Sequence, residues 1–209
     1  ATVGDNITKK SVKMKWYKDD TLMKYLETVN VNKSDSSKFI MPVQRVCRPN
    51  QNFRGFQGNV VSGEINVGDT ITCFPSKEKA NVKQLYNLDK KVNTVSNGEA
   101  ITIVLDREID VSRGCVLTNE EKLNNANNIN ATMLWMDEEK LKMNTAYYIN
   151  IGTISTLCYI RKINYKMDID SNERISLIES ITKNDIINCD LEVLEKIPVT
   201  LFDYNKTLG

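Results

Sequence analysis

Thirty residues, Phe39 to Gly68, reading FIMPVQRVCRPNQNFRGFQGNVVSGEINVG, confine this chain to short strands joined by tight turns. Phe39, Met41 and Val43 recur with the two-residue period of a half-buried strand. Arg48-Pro49-Asn50 then predicts a break, because proline brings no amide to a ladder. Phe53-Arg54-Gly55-Phe56-Gln57-Gly58 sets two aromatics around a glycine, which lets backbone approach backbone, and Asn59-Val60-Val61 resumes the extended pattern. Ser62-Gly63-Glu64 predicts a second reversal.

The same grammar continues along the chain. Thr70 to Phe74, Val82 to Tyr86, Ala100 to Leu105 and Cys115 to Thr118 read as strands separated by glycine or asparagine turns, which points to a barrel or sandwich. Ile129 to Met136, Ala146 to Gly152, Thr156 to Asn164 and Ile187 to Leu194 form a second β set. In its last member Ile187, Cys189, Leu191 and Val193 alternate with Asn188, Asp190 and Glu192, an outward polar row that implies one solvated face. Before both sets, Leu22, Tyr25, Leu26 and Val29 follow helical spacing and predict a helix from Thr21 to Val29. A helix that short is marginal without something to pack against. The polar run Asn32 to Ser37 and the asparagine-rich Asn124-Asn125-Ala126-Asn127-Asn128 read as linkers.

The 209 residues hold two small barrels comfortably, and no apolar run approaches the roughly 18 residues of a membrane span. Histidine is absent, and Cys47, Cys73, Cys115, Cys158 and Cys189 are widely spaced, so neither a zinc cluster nor a histidine-activated nucleophile is available. The cysteines read as small apolar residues packed in strands rather than as redox groups. Cut at the inferred boundaries, residues 37–118 carry a net charge of +3 and residues 119–209 one of −4. Five of the seven arginines fall in the former. That is too mild for a nucleic-acid binder with its concentrated basic face, and it suits an anionic or acidic neighbour.

Two readings stand for Arg48, Asn50, Phe53 and Arg54. As a partner-binding loop, they offer an aromatic between guanidinium forks, a common interface anchor. As scaffolding, Pro49 and Gly55 shape a barrel rim, Phe53 and Phe56 are core, and the arginines are solvated. Asp106-Arg107-Glu108 and Ser112-Arg113-Gly114 read as turns, and Asp137-Glu138-Glu139 fits either a hard-cation site or, more simply, a solvated hairpin.

Pro42-Val43-Gln44, Val46, Arg48-Pro49-Asn50, Phe53-Arg54-Gly55-Phe56, Gly58 and Val67-Gly68-Asp69 together resemble the opening of the second domain in the large, GTP-hydrolysing subunit of sulfate adenylyltransferase, a relative of the translational GTPases. The resemblance covers nearly the whole chain. Gly4-Asp5-Asn6-Ile7, Trp16-Tyr17 and Thr21 to Val29 are similar to that family's exit from its GTPase domain. Gly98 to Thr102, Glu108 to Gly114 and Trp135 to Glu138 resemble later motifs in the same order.

The resemblance implies an all-β architecture of two consecutive β-barrels, like the second and third domains of translation elongation factors, preceded by a helical remnant of the GTPase domain. Its boundaries are residues 1–36 for the helix and linker, 37–120 for the first barrel, 121–128 for a linker, and 129–209 for the second barrel. In the family a further strand follows Asn205, so the second barrel is expected to lack one stave and to show two open edges, through which a homodimer could pair. No Gly-Lys-Ser/Thr phosphate loop and no guanine-recognising element occur, so GTP and magnesium are expected only in the GTPase domain of a parent protein, and the chain itself is expected to be catalytically inactive and to hold no cofactor. The implied enzyme makes adenosine 5′-phosphosulfate and pyrophosphate from ATP and sulfate in a smaller catalytic subunit. The expected partners are that subunit and the chain's own GTPase domain, which Arg113 would contact, with no nucleic acid and no membrane, in the cytoplasm. The competing expectation is a translation-factor barrel fragment that binds aminoacyl-tRNA.

Overall fold

A computed structural model describes residues 4–29, 38–120, 123–171, 173–177 and 179–209. The chain divides into two compact units, Ala1–Asp35 and Ser36–Gly209. In the first, helix α1 (Leu22–Thr28) starts at Thr21, whose side chain accepts from the Lys24 amide. The expected apolar stripe is present but uncovered, with Leu22 49%, Tyr25 57%, Leu26 57% and Val29 37% exposed. The linker expected over Asn32 to Ser37 lies outside the described residues.

The second unit is all β. Its first nine strands are β1 (Ile40–Asn50), β2 (Phe53–Asn59), β3 (Glu64–Asn66), β4 (Thr70–Phe74), β5 (Glu78–Asn87), β6 (Lys90–Val92), β7 (Thr94–Ser96), β8 (Ala100–Leu105) and β9 (Val116–Thr118). They are followed by β10 (Asn124–Leu134), β11 (Ala146–Ile151), β12 (Ile154–Met167), β13 (Arg174–Ile175) and β14 (Ile186–Val199). Strands run in the order β4-β9-β1-β2-β8-β5, and a β4–β5 pairing closes them into a six-stranded barrel, which leaves no free edge among those six. Ile65 of β3 and Val95 of β7, on a separate two-stranded ribbon, are fully buried in the same core. Gly63, in the reversal expected before β3, has φ +67°, and a Cβ there would collide with the Lys38 backbone, so only glycine fits.

Strand β1 departs from the expectation of a half-buried strand. Phe39, Met41 and Val43 point into the barrel, but Ile40 is also 0% exposed, on the opposite face, in a separate cluster with Phe74, Val116, Leu123 and Leu208. Pro42 on that face lies against Gly152, whose β position would sit 3.6 Å from the proline ring and 3.0 Å from Leu208. The alternation is hidden because both faces of β1 are covered.

The second sheet has the order β10-β14-β12-β11, with β13 added to β12. Among the described residues β10 and β11 do not pair with each other, so each is an edge. The asparagine-rich connector expected at Asn124 to Asn128 is instead the start of β10, with Asn124 opposite Val199 and Ala126 opposite Ile197. It holds because Asn125 Nδ2 donates to the Pro75 carbonyl at 2.9 Å, supplying a side-chain hydrogen bond that composition could not announce. The polar row on β14 is likewise only partly solvated. Asn188 is 8% exposed, with its amide oxygen accepting from Asn130 at 3.1 Å and Asn164 at 3.0 Å and its nitrogen donating to Thr132 at 3.2 Å.

The two cores differ in completeness. Among the described residues the barrel core holds nineteen buried side chains, whereas the second sheet's two clusters hold eight, with Ile129, Met133, Tyr147, Ile149 and Ile151 only half covered. Ile103→Ala in the barrel is therefore expected to cost about 2 to 5 kcal/mol in urea denaturation, and Ile149→Ala clearly less, below about 2 kcal/mol. Asp185 gives a pH dependence: burial works against its charge, but the Lys166 ammonium at 2.7 Å and donors from Thr182 outweigh it and hold the carboxyl below the ordinary carboxylate value. Its contribution is full above about pH 4 and is lost as pH falls through the lowered folded value. Thermal scans should show a midpoint dropping below about pH 4, with a shallower acid slope in Asp185→Asn.

Candidate partner interface

Four of the five residues singled out in the sequence lie on one hairpin, β1–β2. Arg48-Pro49-Asn50 does not end β1. A bulge between Cys47 and Asn50 absorbs the proline, and the ladder resumes with Asn50 opposite Phe53. Asn50 Oδ1 accepts from the Asn52 amide at 3.0 Å, which shapes the two-residue turn. Arg48 and Asn50 are exposed, and among the described residues Arg48 makes no hydrogen bond or ion pair.

The two phenylalanines divide. Phe56 is core at 2% exposure, whereas Phe53 is half-buried, edge-on to Tyr86 with ring centroids 6.0 Å apart. Lys91 sits 5.8 Å from the centroid of the Tyr86 ring, so the hairpin tip is flanked by an aromatic pair and a cation. Gly55 permits this packing, since a Cβ there would come within 2.5 Å of the Thr102 methyl. Tyr86 and Lys91 were not legible beforehand, since they stand more than thirty residues from Phe53 and only the pairing of β2 with β8, and of β8 with β5, brings them close.

Arg54 and Arg113 act on backbone. Arg54 lies 5.3 Å from the centroid of the Phe56 ring and donates to the Val111 carbonyl at 3.3 Å. Arg113 donates to the Gln44 carbonyl at 3.1 Å. Gln44 and Arg48 are four residues apart on an extended strand, about 13 Å, so Arg113 does not join the hairpin tip. The segment 106–115 is fastened again on β5. Asp106 accepts from the Asn81 amide at 2.9 Å, a bond that holds its carboxyl below the usual range, and the Asp110 amide donates to Glu78 at 3.0 Å. Below it opens a cleft of about 680 Å³ lined by Ser112, Arg113, Cys115, Thr153, Ser155 and Lys196, where the barrel meets the second sheet. The carboxylates Glu138 and Glu139 pair with Lys183 and Lys142, as in a solvated hairpin. Among the described residues no helix is long and apolar enough to cross a membrane.

Residues 128–209 match the family described as GTP-eEF1A C-terminal domain-like. Over 99% of its length the chain is 36% identical to sulfate adenylyltransferase subunit 1 of Francisella tularensis subsp. tularensis, and over 99% it is 39% identical to that of Aliarcobacter butzleri. Each match takes in 44% of the relative, so the chain spans less than half the length of these curated relatives. Among solved structures it is similar to Sup35 complexed with GDP, with a TM-score of 0.77 at 18% identity over 99% of this chain and 52% of that one. It is also similar to the apo form of translation elongation factor SelB from Methanococcus maripaludis, with a TM-score of 0.68 at 19% identity over 87% of this chain and 41% of that one. At such identities the likeness is one of fold: translation-factor-like β-barrels.

The arginines separate by experiment. Arg54→Ala removes a donor from a barrel carbonyl and should cost about 1 kcal/mol in chemical denaturation, while Arg48→Ala should stay within about 0.5 kcal/mol of the parent.

Proposed function

We propose that this chain, a homologue of sulfate adenylyltransferase subunit 1 along 99% of its length, is the non-catalytic barrel region of a GTP-dependent sulfate adenylyltransferase large subunit. The homology across both β-sheets carries the reading. The enzyme would join ATP and sulfate into adenosine 5′-phosphosulfate, with release of pyrophosphate, in a separate small catalytic subunit in the cytoplasm. These residues do not fit GTP or magnesium, since the sequence has no glycine-rich Gly-Lys-Ser/Thr loop. Nucleotide chemistry is therefore assigned to the parent's GTPase domain.

The barrels would transmit state. Arg48, Asn50 and Phe53 supply an exposed cation, an exposed amide and a half-covered aromatic for contact with the small subunit. Arg54 and Arg113 link the hairpin to the segment 106–114, so a push on that segment by the GTPase domain would move the rim with it. Charge favours this reading over aminoacyl-tRNA binding, since residues 119–209 are net negative.

Titration of this chain with the small catalytic subunit, followed by light scattering and calorimetry, is expected to give a complex that Arg48→Glu weakens about tenfold with an unchanged thermal midpoint. An affinity indifferent to Arg48→Glu would remove the rim from the contact. Affinity for tRNA that falls steeply with salt would favour the translation-factor reading instead. The mass of the chain alone tests pairing of two copies through β10 or β11.

A further inference from the structure

The outward face of the barrel carries a row of side chains that no single strand reveals. Pairing sets Arg45 of β1 opposite Gln57 of β2, Gln57 opposite Thr102 of β8, Thr102 opposite Tyr86 of β5, and Tyr86 opposite Lys91 of β6. Their chain neighbours Val46, Phe56, Leu85, Val92, Ile101 and Ile103 pack on the barrel core, so the five face outward. Neighbouring strands stand about 4.8 Å apart, which puts the cations at the two ends of the row roughly 19 Å from each other along the sheet. Between them Gln57 donates to the Thr102 hydroxyl at 3.3 Å, and the Tyr86 hydroxyl donates to Gln84 at 2.8 Å. Beside the row the Phe53 ring covers Gly55 and meets Tyr86 edge-on.

The charge on this face has one sign. Strands β1, β2, β6 and β8 contain no carboxylate, and the only one in β5, Glu78, stands at its far end and accepts from the Asp110 amide. Glu99, just before β8, accepts from the Asn87 side chain at 2.7 Å and the Ser96 amide at 2.6 Å, and Asp89 lies beyond the row in the β5–β6 turn. Arg45 and Arg48 are exposed and, among the described residues, make no hydrogen bond or ion pair, while Lys91 meets the Tyr86 ring.

We propose that this face receives an extended acidic segment of the small catalytic subunit, laid across the strands with one carboxylate on Arg45, a second on Lys91, and an apolar side chain between them against Phe53 and Tyr86. Such docking rests on the β1–β2 hairpin being a subunit contact, and it widens that contact from the hairpin tip to five strands. A segment of about six residues in extended form covers the distance. Strands β1, β2, β8 and β5 are each paired on both sides, so the segment engages side chains and not backbone edges. The guanidinium fork takes a carboxylate bidentately, and the aromatic pair supplies the anchor that water leaves.

The test measures binding of the whole chain to the small catalytic subunit at low and moderate salt, about 50 and 300 mM. Affinity is expected to fall about tenfold across that range. Arg45→Glu and Lys91→Glu are each expected to weaken the complex about tenfold, mainly by slowing association, with an unchanged thermal midpoint because both side chains are exposed. Lys79→Glu makes the same change of charge on β5 where it runs beside β4, away from the row, and should leave affinity within about twofold. A complex that Arg48→Glu weakens, but that salt, Arg45→Glu and Lys91→Glu leave untouched, keeps the hairpin as a subunit contact and overturns the acidic docking face. Equal weakening by Lys79→Glu overturns it too, since net charge alone would then account for the loss. Absence of any complex with the folded chain removes the subunit contact and this face together. Binding of tRNA in preference to the small subunit, lost in the same two variants, would make the ligand a nucleic acid and overturn the proposal.

Discussion

Burial of both faces of β1 is the constraint on which the second unit depends. A strand in a closed barrel normally spends one face on the core and one on water. Here Phe39, Met41 and Val43 complete the barrel interior, while Ile40 clusters outward with Phe74, Val116, Leu123 and Leu208, and Pro42 lies against Gly152. Leu208, far from β1 in sequence, is 0% exposed against that outer face. One strand therefore joins two cores, and a substitution at Ile40 or Leu208 would loosen the join between the sheets without opening the barrel.

That join explains how an open second sheet keeps its form. Its inner residues on the edge strands are half covered, so hydrophobic burial alone contributes less there than in the barrel. Other interactions stand in. Asn130, Asn164 and Asn188 lie side by side across β10, β12 and β14, each amide bonded to another or to Asp190, so three strands are pinned in register by side chains as well as by backbone. Asp190 is held below the ordinary carboxylate range by the amides of Asn130 and Asn164, so the network stays acceptor-rich through mild acid. A one-residue slip would break every one of these bonds, which makes the ladder a register lock.

Sequence periodicity recovered the barrel strands whose two faces differ, such as β8. Thr70 to Phe74 and Ala100 to Leu105 were legible to the residue. It misjudged the places where a second partner, not a local rule, sets the outcome. Pro49 sits inside β1 because a bulge spares the ladder the amide it lacks, and Asn124 to Asn128 are strand because the Pro75 carbonyl and β14 bind them. The hairpin residues could be named in advance, but their division of labour could not. Whether an arginine faces solvent or a carbonyl depends on a segment sixty residues away, and the approach of Tyr86 and Lys91 to Phe53 is a product of strand order alone.

The division of labour among the arginines has a mechanical consequence. A guanidinium with a donor committed to a backbone carbonyl is a strut, because the planar fork fixes both distance and angle. Arg54 ties Val111 to β2, Arg113 ties Gln44 to the residue two positions further on, and the Asp110 amide ties the same segment to Glu78 of β5. Residues 110–113 are thus held from three strands at once, with Cys115 at their base and the cleft beneath. A segment fastened in this way moves as a body or not at all. Arg54 is the strut that links this segment to β2, whereas Arg48 at the hairpin tip carries no such strut among the described residues.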